Sequence, residues 1–269
     1  MPENSFLQAL LLGIVEGITE FLPVSSTGHL VVAGELLGFD SVPGEVFETM
    51  VQVGAIMAIC TLYRERMISV ARGLAGGDKA ARNFLATIIV ATLPMIALGA
   101  IFYDFIVSVL FSPYVVSVAF IVGGIAIITI ERLNIDQTVD SIEAFTPLTA
   151  LKIGVFQCLA LIPGVSRAGA TIIGSLLVGV ERKTAAEFSF FLAVPVIVGA
   201  TVFDLWGNRA LLNGAHLPVL AVGVVAAFLA ALVTVKWFVG FVSHHGFSIF
   251  GWYRIAFGSF LLVYFLMGS

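Results

Sequence analysis

Charged residues are scarce in this sequence: Asp, Glu, Lys and Arg together account for 11% of its 269 residues. A soluble domain carries about 25%, so the chain has too little charge to cover a water-exposed surface. The two cysteines, Cys60 and Cys158, lie far apart in apolar stretches, which argues against a disulfide framework or a zinc site. The 13 basic residues form no concentrated patch for nucleic acid. These shortages exclude a soluble enzyme and a nucleic-acid-binding protein.

Long apolar runs are abundant instead, and 59% of the residues are hydrophobic. A membrane-spanning helix needs about 20 mostly apolar residues. Six stretches meet this requirement: residues 45–63, 84–104, 113–131, 184–204, 217–240 and 249–267. Two further apolar segments, 6–39 and 148–180, are each interrupted near the middle by a polar sequence containing proline and glycine. Such breaks are typical of re-entrant helical hairpins, whose irregular backbone is tolerated in a membrane only where protein or water covers it.

The two broken segments occupy matching places in the two halves of the chain. Residues of one type recur at nearly constant offsets, 140 for two pairs and 139 for the third: Pro23 and Pro163, Ser26 and Ser166, Glu48 and Glu187. Each half consists of a broken hairpin and three spans, so the second half is inverted relative to the first. We therefore predict an all-α, polytopic integral membrane protein with six transmembrane helices and two re-entrant hairpins arranged as an inverted repeat. It forms a single transmembrane domain over residues 1–269, with repeats at about 1–132 and 148–269.

Lys and Arg in the predicted loops indicate the orientation, because they are enriched on the cytoplasmic side of a membrane. One side receives Arg64, Arg66, Arg72, Lys79, Arg82, Arg132, Arg182 and Lys183. The loops near 105–112 and 205–216, on the other side, contain only Arg209. The first side is therefore predicted to be cytoplasmic, and the first hairpin enters from the outer face. Arg254 is near a predicted span end, where a long side chain reaches the membrane surface at little cost.

Ionisable residues inside apolar segments are costly, which makes them candidates for function. Glu16 and Glu20 are four residues apart, so both carboxylates lie on one face of a helix. Like charges at this spacing repel each other unless one is protonated or a cation lies between them. Because paired carboxylates suit a hard divalent cation such as magnesium or calcium, we predict that Glu16 and Glu20 bind one. The alternative is a carboxylate pair that only lines a hydrated cavity.

Ser26 and His29 follow the first break and are three residues apart. If a helix resumes there, Ser25 or Ser26 is near its N-cap, and the imidazole of His29 comes within hydrogen-bond reach of the Ser26 hydroxyl. Such a pair can activate a weak nucleophile. The free N–H groups of a helix start also favour an anion. The alternative is that the serines only cap the helix and His29 is structural.

The second hairpin contains one arginine, Arg167, beside another predicted helix start. An unpaired guanidinium is expensive in the membrane, and its shape matches phosphate oxygens. Alternatively, it pairs with Glu16, Glu20 or Glu187 as a structural bridge. The other polar residues predicted to contact a substrate are Ser25, Thr27, Ser166, Thr171 and Gln157. Together the two hairpins indicate a site for a phosphate ester and a divalent cation.

Two stretches carry a resemblance to a known family: EGITEFLPVSSTGH at residues 16–29 and PGVSRAGAT at residues 163–171. With residues 156–160 and 186–190, they resemble the undecaprenyl-diphosphate phosphatases of bacteria, the BacA-like bacitracin-resistance membrane proteins. The likeness extends over essentially the whole chain. Ala168 departs from the pattern, because the family commonly has serine after the motif arginine, and a role for that second hydroxyl is not carried over.

The resemblance implies hydrolysis of undecaprenyl diphosphate to undecaprenyl phosphate and inorganic phosphate in the bacterial inner membrane. This reaction recycles the lipid carrier for cell-envelope synthesis and gives resistance to bacitracin. The family is associated with a divalent cation and with a site that faces the outer side. The expected partners are the polyprenyl diphosphate and membrane lipids, without nucleic acid, and a homodimer is a candidate assembly.

For this reaction the expected catalytic residues are Ser26 as nucleophile, His29 as general base and then acid, Arg167 to stabilise the charge on the bridging oxygen, and Glu20 to hold the cation with Glu16. Direct attack by His29 stays open as the reverse assignment. A polyprenyl-phosphate flippase or a secondary transporter that uses the same residues is the competing hypothesis, because inverted repeats with broken helices are also typical of transporters.

Overall fold

The computed structural model describes residues 4–42, 46–133, 135–209 and 214–268, and most of them lie in helices. The α-helices in chain order are α1 (Ser5–Thr19), α2 (Ser26–Leu37), α3 (Val46–Leu62), α4 (Arg64–Ala75), α5 (Lys79–Ile101), α6 (Tyr103–Phe105), α7 (Pro113–Arg132), α8 (Pro147–Gln157), α9 (Arg167–Leu177), α10 (Arg182–Asn208), α11 (Leu217–His245) and α12 (Ser248–Gly268). A π-helix covers Ile106–Leu110, and 3-10 segments cover Ile142–Ala144 and Cys158–Leu161. The predicted all-α, polytopic class is confirmed.

Five of the described helices are long and apolar enough to cross a membrane: α5, α7, α10, α11 and α12. They coincide with five of the six predicted spans. The remaining span, predicted at 45–63, corresponds to α3, which has 17 residues and continues after a 75° bend into α4. Residue 45 itself lies outside the described residues. Counting the bent pair as one broken span gives up to six spans.

The segments predicted as loops are more helical than expected. Residues 64–75 form α4 rather than a loop, because apolar residues alternate there with arginines at helical spacing and such a helix is stable at a membrane surface. The loop predicted near 105–112 is largely the π-helix. The loop predicted at 205–216 is helical as far as Asn208, and its residues 210–213 lie outside the described part of the chain.

Each broken segment consists of two short helices that meet at the predicted polar break. The residue before the second helix has left-handed backbone geometry in both: Ser25 has a φ of 66° and Ser166 a φ of 75°. A residue with a Cβ adopts this geometry at a cost of about 1–2 kcal/mol. Ser25 and Ser166 thus hold the same place, immediately before the second helix of each segment, whereas the sequence pairing matched Ser166 with Ser26.

Glycines set the closest helix contacts. A Cβ added at Gly13 or Gly17 of α1 would lie 2.3 Å from a carbonyl oxygen of α11, and one at Gly154 of α8 would lie 2.5 Å from the carbonyl oxygen of Ala91 in α5. Small residues allow such close approach between apolar helices. The first short helix of each broken segment, α1 or α8, thus packs against a long helix from the other half of the chain. Crossed pairing of this kind is what an inverted repeat would produce, and the repeat with its limits at 1–132 and 148–269 stays a prediction.

We expect Gly17→Val to destabilise the protein, because the new Cβ would lie 2.3 Å from the carbonyl oxygen of Ala227. Overpacking of this kind costs about 1–3 kcal/mol, and each kcal/mol lowers the melting temperature by about 2–4 °C in domains of about 150–250 residues. Thermal unfolding in detergent measures the effect. Gly240→Val is the matched control, since nothing lies within 4 Å of a Cβ there. Equal melting temperatures for the two variants would contradict the close contact of α1 with α11.

Candidate active site

One buried arginine holds the two polar breaks together. The side chain of Arg254 projects from α12 and is inaccessible to solvent. It donates to main-chain carbonyl oxygens at 2.8–3.3 Å, those of Pro23, Ala119, Phe120, Gly164 and Val165. The sequence-based prediction that Arg254 reaches the membrane surface was therefore wrong. The carbonyl groups of Pro23, Gly164 and Val165 belong to the breaks, where a helix leaves them without partners, whereas those of Ala119 and Phe120 lie within α7. An arginine with five donors can bind such groups where water cannot reach.

We expect Arg254→Lys to destabilise the protein although the positive charge is kept. Lysine has three donors in place of five, and each buried carbonyl left without a partner costs about 1–3 kcal/mol. The melting temperature should drop by several degrees. The turnover of a site built from the two breaks should also fall, because their relative position would be less fixed. Removal of the exposed cation in Lys236→Met is the control. If Arg254→Lys melts no lower than this control, Arg254 does not hold the breaks together.

A cavity of about 210 Å³ lies between the two breaks. Polar residues from both halves of the chain line it: Glu20, Ser25, Ser26, Thr27, Gln52, Ser166 and Arg167. Helices α2 and α9 both begin at this wall, because Ser26 and Arg167 are their first residues. The N-terminal end of a helix carries partial positive charge and free N–H groups. The cavity is therefore suited to an anion such as a phosphate group.

Glu20 joins Ser26 to Arg167 across this cavity. Its Oε2 accepts a hydrogen bond of 2.6 Å from the Ser26 hydroxyl, and its Oε1 lies 2.8 Å from Nη2 of Arg167. The Arg167 and Glu20 side chains retain only 9% and 10% of their exposure, so solvent screens the pair weakly. Of the two alternatives for Arg167, the structure shows the pairing with a glutamate, in a position that still lines the cavity. A hydroxyl bonded to a carboxylate that a third group orients is the arrangement of an activated nucleophile.

Helix α10 orients Arg167 from behind. The Nη1 of Arg167 donates to the main-chain oxygen of Ser189 in α10 at 2.8 Å. The Ser189 hydroxyl in turn lies 2.8 Å from the Thr171 hydroxyl. Thr171 is fully buried, and its hydroxyl also bonds to the carbonyl of Arg167 one turn earlier, at 2.9 Å. Thr171 was predicted to contact a substrate, and this prediction is corrected: its hydroxyl bonds to Arg167 and Ser189, and the residue is not part of the cavity lining.

Gln157 requires the same correction. It is fully buried, it is not on the cavity wall, and its amide group donates to the carbonyl oxygen of Ala91 at 3.1 Å. Ser25, Thr27 and Ser166 do lie on the wall, as predicted for residues that contact a substrate. The Ser166 hydroxyl also accepts a hydrogen bond of 3.0 Å from the amide of Gly169, so it caps α9.

His29 points away from Ser26. Its Nδ1 lies 2.7 Å from the carbonyl oxygen of Ser25 and its Nε2 lies 2.5 Å from the hydroxyl of Tyr253. The ring stacks on Phe257 with centroids 4.5 Å apart. The expected Ser26–His29 hydrogen bond is therefore absent among these contacts, because the start of α2 directs the imidazole towards α12 and the serine towards α1. Both ring nitrogens already have partners. The predicted role of His29 as the base of Ser26 required one of them to contact the Ser26 hydroxyl, and this geometry was wrong.

Glu16 and Glu20 form the candidate cation site. Glu16 is fully buried, neither of its carboxylate oxygens has a hydrogen-bond partner in the described structure, and it lies one helical turn before Glu20. Among the described residues no group of three His, Cys, Asp or Glu side chains could hold a metal ion. Two carboxylates nevertheless fit magnesium, which takes one or two from the protein and fills its other positions with water and phosphate oxygens.

Comparison with known proteins identifies similar chains over the full length. The family model for bacitracin resistance protein BacA matches residues 9–260. An undecaprenyl-diphosphatase from Parvibaculum lavamentivorans is 59% identical over 269 residues, which is 100% of both chains. Undecaprenyl-diphosphatase 2 from Paramagnetospirillum magneticum is 51% identical over 261 residues, 97% of this chain and 99% of its own. An undecaprenyl-diphosphatase from Rhizorhabdus wittichii is 49% identical over 266 residues, 98% and 99% of the two chains. Both polar breaks fall inside every one of these matches.

Proposed function

The chain belongs to the BacA family of bacitracin resistance proteins, and from that membership we propose how its cavity acts. The protein hydrolyses undecaprenyl diphosphate to undecaprenyl phosphate and inorganic phosphate in the bacterial inner membrane, as the names of its relatives imply. It thereby recycles the lipid carrier and confers bacitracin resistance. The observation that carries the mechanism is the bridge from Ser26 through Glu20 to Arg167 on the cavity wall.

Ser26 is the nucleophile in this proposal and Glu20 its base. The Ser26 oxygen attacks the terminal phosphorus while Glu20 accepts its proton, and the bond from that phosphorus to the bridging oxygen breaks. Undecaprenyl phosphate leaves, and the phosphoryl group remains on Ser26 as an ester. Glu20 passes the serine's proton to the departing undecaprenyl phosphate and is again a carboxylate. A water molecule then attacks the ester while Glu20 accepts a proton from it, and Glu20 returns that proton to the Ser26 oxygen as inorganic phosphate leaves. The 2.6 Å bond between Ser26 and Glu20 favours Glu20 over His29 for these transfers.

Arg167 stabilises the charge that moves to the bridging oxygen. Phosphoryl transfer depends mainly on positioning and electrostatic stabilisation, and Arg167 supplies both, because a guanidinium has five N–H donors and can bind a phosphate oxygen while it stays paired with Glu20. The starts of α2 and α9 add N–H donors on the same wall. Ser25, Thr27 and Ser166 complete the set of groups that contact the diphosphate.

We also propose a divalent cation, magnesium or calcium, at the carboxylate pair. Glu16 and Glu20 would hold it, because the Glu16 oxygens have no hydrogen-bond partner among the described residues and the two residues are one helical turn apart. When bound, the cation supplies positive charge beside the phosphate groups. We expect a chelator such as EDTA to reduce phosphate release, and added magnesium to restore it. Unchanged turnover after exhaustive chelation would contradict the cation.

The cavity faces the outer side of the membrane in this proposal. The second break contacts α7 near its first residues, since a Cβ at Gly164 would lie 2.6 Å from the carbonyl oxygen of Val116. That end of α7 follows residues 105–112, which contain no Lys or Arg, whereas Arg132 ends the helix on the basic side. Basic residues mark the cytoplasmic face, so the breaks lie towards the outside.

A polyprenyl-phosphate flippase or secondary transporter is the second candidate, favoured by two broken helices that meet inside the membrane. Phosphate release from undecaprenyl diphosphate by the purified protein distinguishes the two. Release would support hydrolysis, whereas binding of the lipid diphosphate without release would support transport.

We also propose that the protein forms a homodimer, which native mass spectrometry of the same sample tests. The mass of two chains would support the dimer, and the mass of one chain would contradict it.

A further inference from the structure

A second and larger cavity, of about 660 Å³, lies beside the 210 Å³ cavity between the breaks, which we call the catalytic cavity. Helix α7 forms one of its walls and the second hairpin forms the other, and its lining is almost entirely apolar. The charged exception is Arg254, whose guanidinium is bound by the carbonyl groups of the breaks. We call this cavity the α7 groove. None of the catalytic groups described above needs it.

Small residues explain why the groove exists. Ala119, Gly123 and Ala126 line it from α7 at spacings of four and three residues, so they share one helix face. Gly169 and Ala170 line it from the start of α9. Larger side chains at these positions would fill the space between the two walls.

The α7 groove adjoins the catalytic cavity at the second break. Ile162 lines both cavities. The next residues of the break separate, with Gly164 on the catalytic side and Val165 on the groove side. The groove lining on α7 extends from Tyr114 to Ile130, about 24 Å at 1.5 Å per residue. About 16 Å of this length lies beyond Ala119, so most of the groove runs from the break, where a diphosphate would be held, towards the basic side of the membrane.

We propose that the α7 groove binds the first isoprenoid units of the substrate's polyprenyl tail. This inference rests on the proposed hydrolysis of a polyprenyl diphosphate, whose charged head and apolar tail match two adjoining cavities of opposite character. The tail is already in an apolar solvent within the membrane, so the gain is close packing rather than removal from water. The groove positions the terminal phosphorus by guiding the tail past Ile162.

Ala126→Trp tests the proposal by filling the groove part-way along. Ala126 is about 10 Å beyond Ala119 along α7, so tryptophan there would obstruct a long tail and leave space for one isoprene unit. Displacement of the phosphorus by about 1 Å can cost about 10²-fold in rate. We expect kcat/KM for undecaprenyl diphosphate to fall about tenfold or more, with little change for dimethylallyl diphosphate, which has a five-carbon tail.

Ile125→Trp is the matched control, because Ile125 neighbours Ala126 on α7, is exposed, and is not part of the groove lining. Val122→Trp, another groove position, should repeat the chain-length effect. Equal kcat/KM for undecaprenyl diphosphate in the Ala126→Trp and Ile125→Trp proteins would overturn the proposal, and so would an equal loss with both substrates. A groove that holds ordinary phospholipid chains would give the first of these results. Failure of the wild-type protein to release phosphate from either substrate would instead contradict the proposed function.

Discussion

Replacing Ser26 by alanine is expected to reduce phosphate release by about 10³- to 10⁶-fold, the range found when an enzyme loses its nucleophile. The loss should appear in kcat, because the variant keeps Arg167 and both helix starts on the cavity wall and can still bind the diphosphate. Single-turnover assays with undecaprenyl diphosphate in detergent, combined with equilibrium binding of the lipid, measure the two effects separately.

Thr19→Val is the control for Ser26→Ala. It removes a hydroxyl next to Glu20 that, among the described residues, bonds within α1 to the carbonyl oxygen of Val15 at 2.7 Å. The variant should keep nearly full activity. Retention of more than about a tenth of wild-type kcat by the Ser26→Ala protein would exclude Ser26 as nucleophile, since general acid–base effects alone reach about 10²- to 10⁴-fold. His29→Gln should lose far less, because the His29 ring is engaged with Ser25 and Tyr253.

Arg167→Ala is expected to reduce kcat by about 10³- to 10⁵-fold, the size of effect that an arginine has on phosphoryl transfer. The substitution removes the cation that would contact the phosphate and also releases Glu20, which then loses its orienting partner at 2.8 Å. Arg167→Lys should recover part of the activity, because lysine keeps the positive charge. The recovery should be incomplete, because an ammonium group lacks the planar fork with which the guanidinium bonds to both Glu20 and Ser189.

The control for Arg167 is Arg72→Ala, which removes an exposed arginine from α4. Kinetics of phosphate release and thermal unfolding should be measured on all three variants, since a folded Arg167→Ala protein is needed for the comparison. If a folded Arg167→Ala protein kept a kcat near the wild-type value, Arg167 would have no role in catalysis. It would then be a structural bridge to Glu20, which is the alternative given in the sequence analysis.

The sequence was sufficient for the helical architecture and for the cluster that lines the cavity. Apolar length identifies five long helices, and proline and glycine locate the breaks, because these features depend on local composition alone. Glu20, Ser26 and Arg167 were found because an ionisable or nucleophilic group in an apolar segment needs a reason to be there.

Contacts between distant segments were not predictable in the same way. Arg254 is 231 residues from Pro23 in the chain, and nothing local distinguishes it from an arginine that reaches the membrane surface. The partner of His29 was also missed, since Tyr253 belongs to α12 and the spacing to Ser26 indicated only proximity. Which hydroxyl faces which carboxylate depends on helix packing, and only the three-dimensional structure shows it.

The phosphoenzyme is the most direct test of the account, because the central claim is that Ser26 attacks and Glu20 accepts its proton. Purified protein would be mixed with undecaprenyl diphosphate labelled at the terminal phosphate, quenched within the first turnover and mapped by peptide mass spectrometry. The account predicts a phosphate ester on Ser26, and none on the Ser26→Ala protein. A phosphate on His29, or first-turnover release of phosphate without any labelled protein, would contradict it.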